Sequence, residues 1–217
     1  MYQPAAFRET RLEVLHDFIQ AHPFASVIIH GDDGLVADHL PLRLSSACLQ
    51  GHVAAANDLA QRDGAAVLVV FHGPHGYVSP GWYPSKHQTG REVPTWNYAV
   101  VQVHGRLRVI DDADWKRTFL QGLTAQHEAS MPQPWSIDEA PPDYIAALLG
   151  AIRGIEITID RIEGKFKLGQ NKTEANRLGL IEGLRDRALP FDMALAHMTA
   201  QTLSVSSLSS GTSFHEQ

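Results

Sequence analysis

The chain has 217 residues, 44% of them hydrophobic and 19% charged, and its net charge at neutral pH is −6. This composition is that of an ordinary soluble globular protein, and the acidic balance excludes a broad basic surface for DNA. A single cysteine, Cys48, excludes an internal disulfide framework. Because we find neither a secretory leader nor an apolar run of about 20 residues, we expect a cytoplasmic protein that does not enter a membrane.

Hydrophobic periodicity and turn residues predict the following elements in chain order. The first half reads as a helix at residues 8–21, a hairpin of strands at 25–30 and 35–44, a strand at 49–55, a short helix at 58–62 and a strand at 65–72. The second half reads as a long strand at residues 93–110 broken near Gly105, helices at 111–127 and 144–152, a strand at 155–162, a polar turn at 165–171, a helix at 173–188 and a helical turn at 190–197.

Short turns between strands, with helices at both ends, predict a small and mostly antiparallel barrel with helices packed outside. No linker separates two domains before residue 201, so we expect one domain over residues 1–200. From residue 201 to 217 the chain is rich in Ser and Thr and low in charge. We expect that tail to be loosely ordered.

Residues 71–98 contain two of the four tryptophans, three of the five tyrosines and four of the twelve prolines. Pro and Gly hold turns open, while Trp and Tyr offer flat faces with a polar group. One interpretation is a set of rigid aromatic loops that frame a pocket for a flat, polar ligand. The other is an irregular loop that buries its aromatic rings for stability, and composition alone does not separate the two.

Two segments on predicted strands place polar groups where a ligand could bind. Pro41 interrupts a strand and indicates a sheet edge, a bulge or a place where the backbone meets a ligand. His39 therefore either faces a ligand or is a surface histidine. Residues 51–57 run from a strand into a helix, which suits an anion near His52 and Asn57. The alternative is that Asn57 simply caps that helix.

Residues 165–172 place three lysines beside the amides of Gln170 and Asn171. These groups can donate hydrogen bonds to phosphate or to ring carbonyl oxygens, or they can form a solvated turn. His72 and His75 are the only close histidine pair in a predicted loop, and we predict no metal site. The sequence has no nucleophile elbow, Walker loop or dinucleotide fingerprint, so hydrolase, phosphoryl-transfer and dinucleotide chemistry have no support.

Six motifs follow one another along the chain. The two most specific are Tyr77-Val78-Ser79-Pro80-x-Trp82-Tyr83 and Val93-Pro94-Thr95-Trp96-Asn97-Tyr98, and the others lie at residues 1–7, 39–42, 51–57 and 167–171. In this order they resemble the PaiB family of FMN-binding negative transcriptional regulators, also called protease synthase and sporulation protein PAI 2. The resemblance covers most of the chain from residue 1 to about residue 195. The chain departs from the family where Asp58 replaces a common proline and Gly169 a common serine. The second departure removes a hydroxyl that could bond flavin or phosphate.

The resemblance implies a mostly β (α+β) fold, an antiparallel FMN-binding split β-barrel with peripheral helices. It also implies a homodimer with the flavin at the subunit interface. The residues that it places at the FMN are His39, Leu40, Pro41, Leu42, His52, Asn57, Thr95, Trp96, Asn97, Lys167, Gln170 and Asn171. The last three would close over the cofactor or reach it from the partner chain.

By this resemblance the protein is a flavin-linked regulator. A DNA or regulatory protein partner has weak support, because the helix at residues 173–188 mixes acidic and basic side chains. The first alternative is an FMN-dependent oxidoreductase acting on a small molecule, in which His39, His52 or Tyr98 would exchange a proton. A further alternative is a haem-binding or haem-degrading split barrel. The sequence assigns no catalytic residue.

Overall fold

The computed structural model describes residues 1–209, of which residues 204–209 are described by their backbone alone. The helices are α1 (Leu12–Ala21), α2 (Pro84–Thr89), α3 (Ala113–Glu128), α4 (Pro142–Gly150), α5 (Glu174–Arg187) and α6 (Asp192–Ser209). Short 3₁₀ helices lie at Ala5–Phe7, Asp58–Gln61, Pro80–Trp82 and Ile137–Glu139. Among these described residues, no helix has both the length and the apolarity needed to cross a bilayer.

The strands are β1 (Arg8–Glu9), β2 (Phe24–Gly31), β3 (Gly34–Pro41), β4 (Arg43–Ser45), β5 (Cys48–Ala54), β6 (Ala66–Val78), β7 (Thr95–Ile110), β8 (Ile152–Thr158) and β9 (Arg161–Lys167). Neighbouring strands follow the order β3-β2-β6-β7-β8-β5-β4, and β9 pairs with both β1 and β7. The registers are antiparallel in the pairs β1–β9, β2–β3, β2–β6, β4–β5, β5–β8 and β7–β8. The prediction of a mostly antiparallel sheet with helices is therefore confirmed.

Two compact units share the chain. Unit 1 comprises residues 1–11 and 72–100 and the chain from residue 163 onward, and unit 2 comprises residues 12–71 and 101–162. Unit 1 contains β1, β9 from Glu163 onward, and helices α2, α5 and α6. Unit 2 contains the β2–β3 hairpin, strands β4, β5 and β8, and helices α1, α3 and α4. Strands β6 and β7 run through both. The expectation of one domain over residues 1–200 stays a prediction.

The predicted ends of three elements, β6, β9 and α6, differ from those in the structure. Strand β6 continues to Val78, so the first part of the aromatic segment is strand and not loop, and β9 includes residues predicted as a polar turn. At residues 75–78 and 163–167, more exposed positions alternate with buried ones, which is the pattern of a half-exposed strand. Helix α6 reaches Ser209, so residues 201–209 of the predicted loose tail are helical. The rest of that tail, residues 210–217, lies outside the described residues.

Gly105 does not interrupt β7, although the sequence predicted a break there. A Cβ atom at this position would lie only 1.7 Å from the carbonyl oxygen of Thr158. The glycine therefore permits a close approach of two backbones. Close approach, like a bulge or a bend, is a common reason for a glycine inside a strand.

Candidate functional site

The strongest link between predicted site residues is made by Lys167 at the end of β9. Its ammonium group donates hydrogen bonds to Thr95 Oγ1 at 2.5 Å and to the carbonyl oxygen of Trp96 at 2.7 Å. Both partners lie at the start of β7, about 70 residues earlier in the chain. Desolvation by burial, with a smaller contribution from Lys165, lowers the pKa of Lys167. Unit 1 thus brings together the two sequence motifs that carry these residues.

The turn that follows Lys167 is shaped by the side chain of Gln170. Its Oε1 accepts a hydrogen bond from the backbone N–H of Leu168 at 2.8 Å, and its Nε2 donates to the carbonyl of Phe166 at 2.6 Å. Gly169, which lies between Leu168 and Gln170, has a φ of +85°, a conformation that L side chains rarely adopt. Glycine, which stands here in place of the serine common in the family, therefore suits the local backbone conformation. The side chain of Gln170 thus stabilises the turn through these two hydrogen bonds. Asn171 is exposed.

Asn97 lies in the interior of unit 1, with only 1% of its surface exposed. Within the described part of the chain, its Nδ2 has no hydrogen-bond partner. A Cβ atom on Gly169 would lie 3.9 Å from that nitrogen. Buried donors in native structures are nearly always bonded, so an unsatisfied amide beside the turn suggests a polar atom that binds there.

A polar network that the sequence analysis missed supports both motifs. Glu92 accepts hydrogen bonds from Lys172 Nζ at 2.5 Å, from Ser85 Oγ at 2.8 Å and from Asn176 Nδ2 at 3.2 Å. These hydrogen bonds, above all the one from Lys172, lower the pKa of the Glu92 carboxyl. Burial and the Glu92 charge raise the pKa of neighbouring Tyr83 to about 12. The sequence signal that could have found this network is Asn176, an asparagine inside the predicted helix at residues 173–188.

In unit 2, the side chains of residues 39–42 divide between surface and core. Leu40 and Leu42 are buried, and a Cβ atom on Gly51 would lie 2.7 Å from Leu42 Cδ2. His39 and Pro41 are exposed on β3, a terminal strand in the order above, which confirms the edge strand that Pro41 indicated. The Nδ1 atom of His39 lies 3.0 Å from Ser26 Oγ on the paired strand.

His52 is half-buried on β5 beneath helix α3 of the same unit. Its imidazole meets the ring of Phe119 edge-on at 6.1 Å, and Phe119 stacks on Trp115 at 5.3 Å. Gly154, opposite His52 on β8, leaves room for Trp115, because a Cβ there would lie 2.3 Å from the indole. Burial lowers the pKa of His52 and favours its neutral form.

Asn57 fulfils the capping interpretation that the sequence left open. Its Oδ1 accepts from the backbone N–H of Leu59 at 2.8 Å, and its Nδ2 donates to Asp38 Oδ1 at 2.8 Å. Both ends of the amide are therefore engaged within unit 2. The helix that it caps, Asp58–Gln61, is a single 3₁₀ turn. No group of three or more His, Cys, Asp or Glu side chains within residues 1–209 could hold a metal ion.

A protein-family profile described as "Putative FMN-binding domain" matches residues 1–161. The chain belongs to this family. The resemblance to PaiB inferred from the motifs is confirmed by a Bacillus subtilis relative, "Protease synthase and sporulation protein PAI 2". That relative is 29% identical, and the match covers 94% of this chain and 98% of the relative. An uncharacterized protein of Emericella nidulans is 32% identical over 93% of this chain and 97% of its own length.

Solved structures confirm the split-barrel fold of this FMN-binding family member. The FAD and heme binding protein of Mycobacterium smegmatis superposes with a TM-score of 0.54 over 74% of this chain and 73% of its own, at 21% identity. At that identity the likeness shows the fold alone. The donors of unit 1 fit a flavin nucleotide, since Lys167 offers a cation next to the backbone of the exposed Trp96, and Asn97 offers a buried amide without a partner in the described residues.

Proposed function

We propose that this family member binds FMN through unit 1 and acts as a flavin-linked regulatory protein. The observation that carries the proposal is the pair of hydrogen bonds from Lys167 to Thr95 and Trp96. An ammonium group has three N–H donors, and only two of those of Lys167 have acceptors among residues 1–209. The third donor is free to bond a phosphate or ring carbonyl oxygen of the flavin.

In this proposal the cofactor lies at the interface of a homodimer. Lys167, Gln170 and Asn171 either close over it or reach it from the partner chain. Trp96 would contact the flavin directly, and Gln170 would in addition hold the turn that follows Lys167. For unit 2, contact of His39, Leu40, Pro41, Leu42, His52 and Asn57 with the flavin stays a prediction.

The test is an absorbance spectrum of the purified protein after incubation with FMN and desalting. We expect visible flavin bands that persist, and a dimer by sedimentation in the same sample. A protein that loses all FMN on desalting and shows no saturable binding in a titration would refute flavin binding. For the regulatory role, we expect flavin-dependent binding to promoter DNA or to a protein partner, and the lack of both would refute it.

A flavin-dependent oxidoreductase is the second candidate, and the environment of His52 favours it. Burial beside Phe119 lowers the pKa of this imidazole and so favours its neutral form, which can accept a proton. The flavin would supply the hydride chemistry. Turnover of a reduced nicotinamide by the FMN-loaded protein would support this candidate, if His52→Gln lowers the rate without changing FMN affinity.

A further inference from the structure

Three aromatic rings lie side by side at the surface of unit 1. The imidazole of His75 on β6 stacks with the indole of Trp96 on β7, with ring centroids 5.9 Å apart and planes 26° apart. The same imidazole contacts the ring of Phe191, just before α6, at 5.0 Å. We name His75, Trp96 and Phe191 the aromatic shelf.

The shelf is open to solvent. Trp96 is 50% exposed, Phe191 is 49% exposed, and His75 is also exposed. Isolated aromatic side chains at a protein surface need no explanation, but contiguous exposed aromatic surface marks a binding site. These rings come from three separate parts of the chain and form one contiguous aromatic surface, in which His75 and Trp96 stack and the ring of Phe191 is tilted by 48° against His75.

Hydrogen bonds to neighbouring residues hold the shelf in place. Lys167 bonds the carbonyl oxygen of Trp96 itself. Arg187 donates to the carbonyl of Tyr77, two residues after His75, and to both carboxylate oxygens of Asp192, next to Phe191. A surface ordered in advance loses less conformational entropy when it binds a ligand.

We propose that the aromatic shelf binds the isoalloxazine ring of the flavin. This inference rests on the FMN binding proposed above and adds two residues, His75 and Phe191, that neither the motifs nor the family resemblance assigned. The flat ring system of a flavin can pack on an exposed face of these aromatic rings, and a carbonyl oxygen at its polar edge can accept the third hydrogen bond of Lys167. The shelf therefore recognises the ring and not the phosphate.

Titration of flavin fluorescence with His75→Ala and Phe191→Ala tests this assignment, using FMN and riboflavin as separate ligands. Loss of one aromatic partner from a stack weakens ring binding by about fivefold or more. We expect each substitution to raise the Kd for FMN and for riboflavin by the same factor, because riboflavin lacks only the phosphate. His75→Phe keeps a ring and should restore the affinity.

Tyr144→Ala is the matched control, because Tyr144 is an aromatic residue of α4 in unit 2 with 57% exposure. It should leave both Kd values unchanged, and thermal unfolding will show that all variants fold. If the wild type binds neither flavin, the proposed function and the shelf both fail. If the wild type binds FMN and both alanine variants match it, the shelf alone is refuted. Weaker self-association of these variants with an unchanged Kd would also refute it and assign the shelf to a second copy of the chain.

Discussion

The ammonium nitrogen of Lys167 lies 2.7 Å from the backbone carbonyl oxygen of Trp96. This bond joins the last residue of β9 to the second residue of β7. It places a positive charge beside the backbone of an exposed tryptophan, and the two groups come from motifs that are far apart in sequence. Removal of that charge should therefore weaken flavin binding.

Lys167→Met keeps an unbranched side chain but removes the ammonium group. The hydrogen bonds to Thr95 and Trp96 are then lost, together with the donor proposed for the flavin. Because a hydrogen bond to a charged group contributes about 1.5–3 kcal/mol, we expect the Kd for FMN to rise about tenfold or more. Titration of flavin fluorescence measures this change. Lys86→Met, at an exposed position on α2, is the control and should bind FMN like the wild type. Equal affinities in the two variants would remove Lys167 from the site.

Gly169→Ser should destabilise the protein even though serine is common in the family at this position. The φ of +85° is unfavourable for a side chain, and the added Cβ would lie 3.2 Å from Leu180 Cδ2. We expect the free energy of unfolding to fall by about 1–2 kcal/mol in chemical denaturation. Gly150→Ser is the control, since a Cβ there meets nothing within 4 Å. A Gly169→Ser protein as stable as this control would show that the turn relaxes to a negative φ.

Stability should fall in acid through Asp192. The pKa of this buried carboxyl is below its usual value, mainly because Arg187 donates hydrogen bonds to it. A carboxyl whose pKa is lower in the folded state stabilises the fold above its unfolded pKa. That contribution is lost as the pH falls through the folded pKa, so we expect the free energy of unfolding to decrease below about pH 4.

Asp192→Asn should reduce the acid dependence and lower stability at pH 7 by about 1–3 kcal/mol, because it weakens the paired hydrogen bonds to Arg187. Urea denaturation from pH 3 to pH 7 measures both effects. Asp17→Asn, at an exposed site on α1, should leave the slope unchanged. If Asp192→Asn and the wild type show the same slope, the acid dependence comes from other carboxyl groups.

Lys116 of α3 is a buried lysine whose replacement should also be costly. It is 3% exposed, and its Nζ donates to Asp111 Oδ1 and to the carbonyl of Leu149 at 2.8 Å each, and to the carbonyl of Ile152 at 3.3 Å. Lys116→Met leaves those carbonyl oxygens without this donor, so we expect a loss of about 2 kcal/mol in urea denaturation. A loss no larger than that of Lys86→Met would contradict this role.

Local patterns predicted much of the architecture. Strand periodicity identified the β2–β3 hairpin and the long strand β7, and Asn57 was correctly interpreted as a possible helix cap. The extension of β6 to Val78 was missed, because Gly73, Pro74 and Gly76 are typical of turns. Pairing along a strand can override such local preferences, since the sheet supplies hydrogen bonds that no single residue encodes.

The sequence by itself determined the family, the antiparallel β-rich fold and the motifs at residues 93–98 and 167–171, because these depend on residue order and local spacing. Only the tertiary structure decided that Lys167 bonds Trp96, that Gln170 braces its own turn, and that Leu40 and Leu42 lie in the core. It also placed His75 against both Trp96 and Phe191. Such contacts join residues tens of positions apart, and they arise from the packing of strands and helices, which local periodicity does not specify.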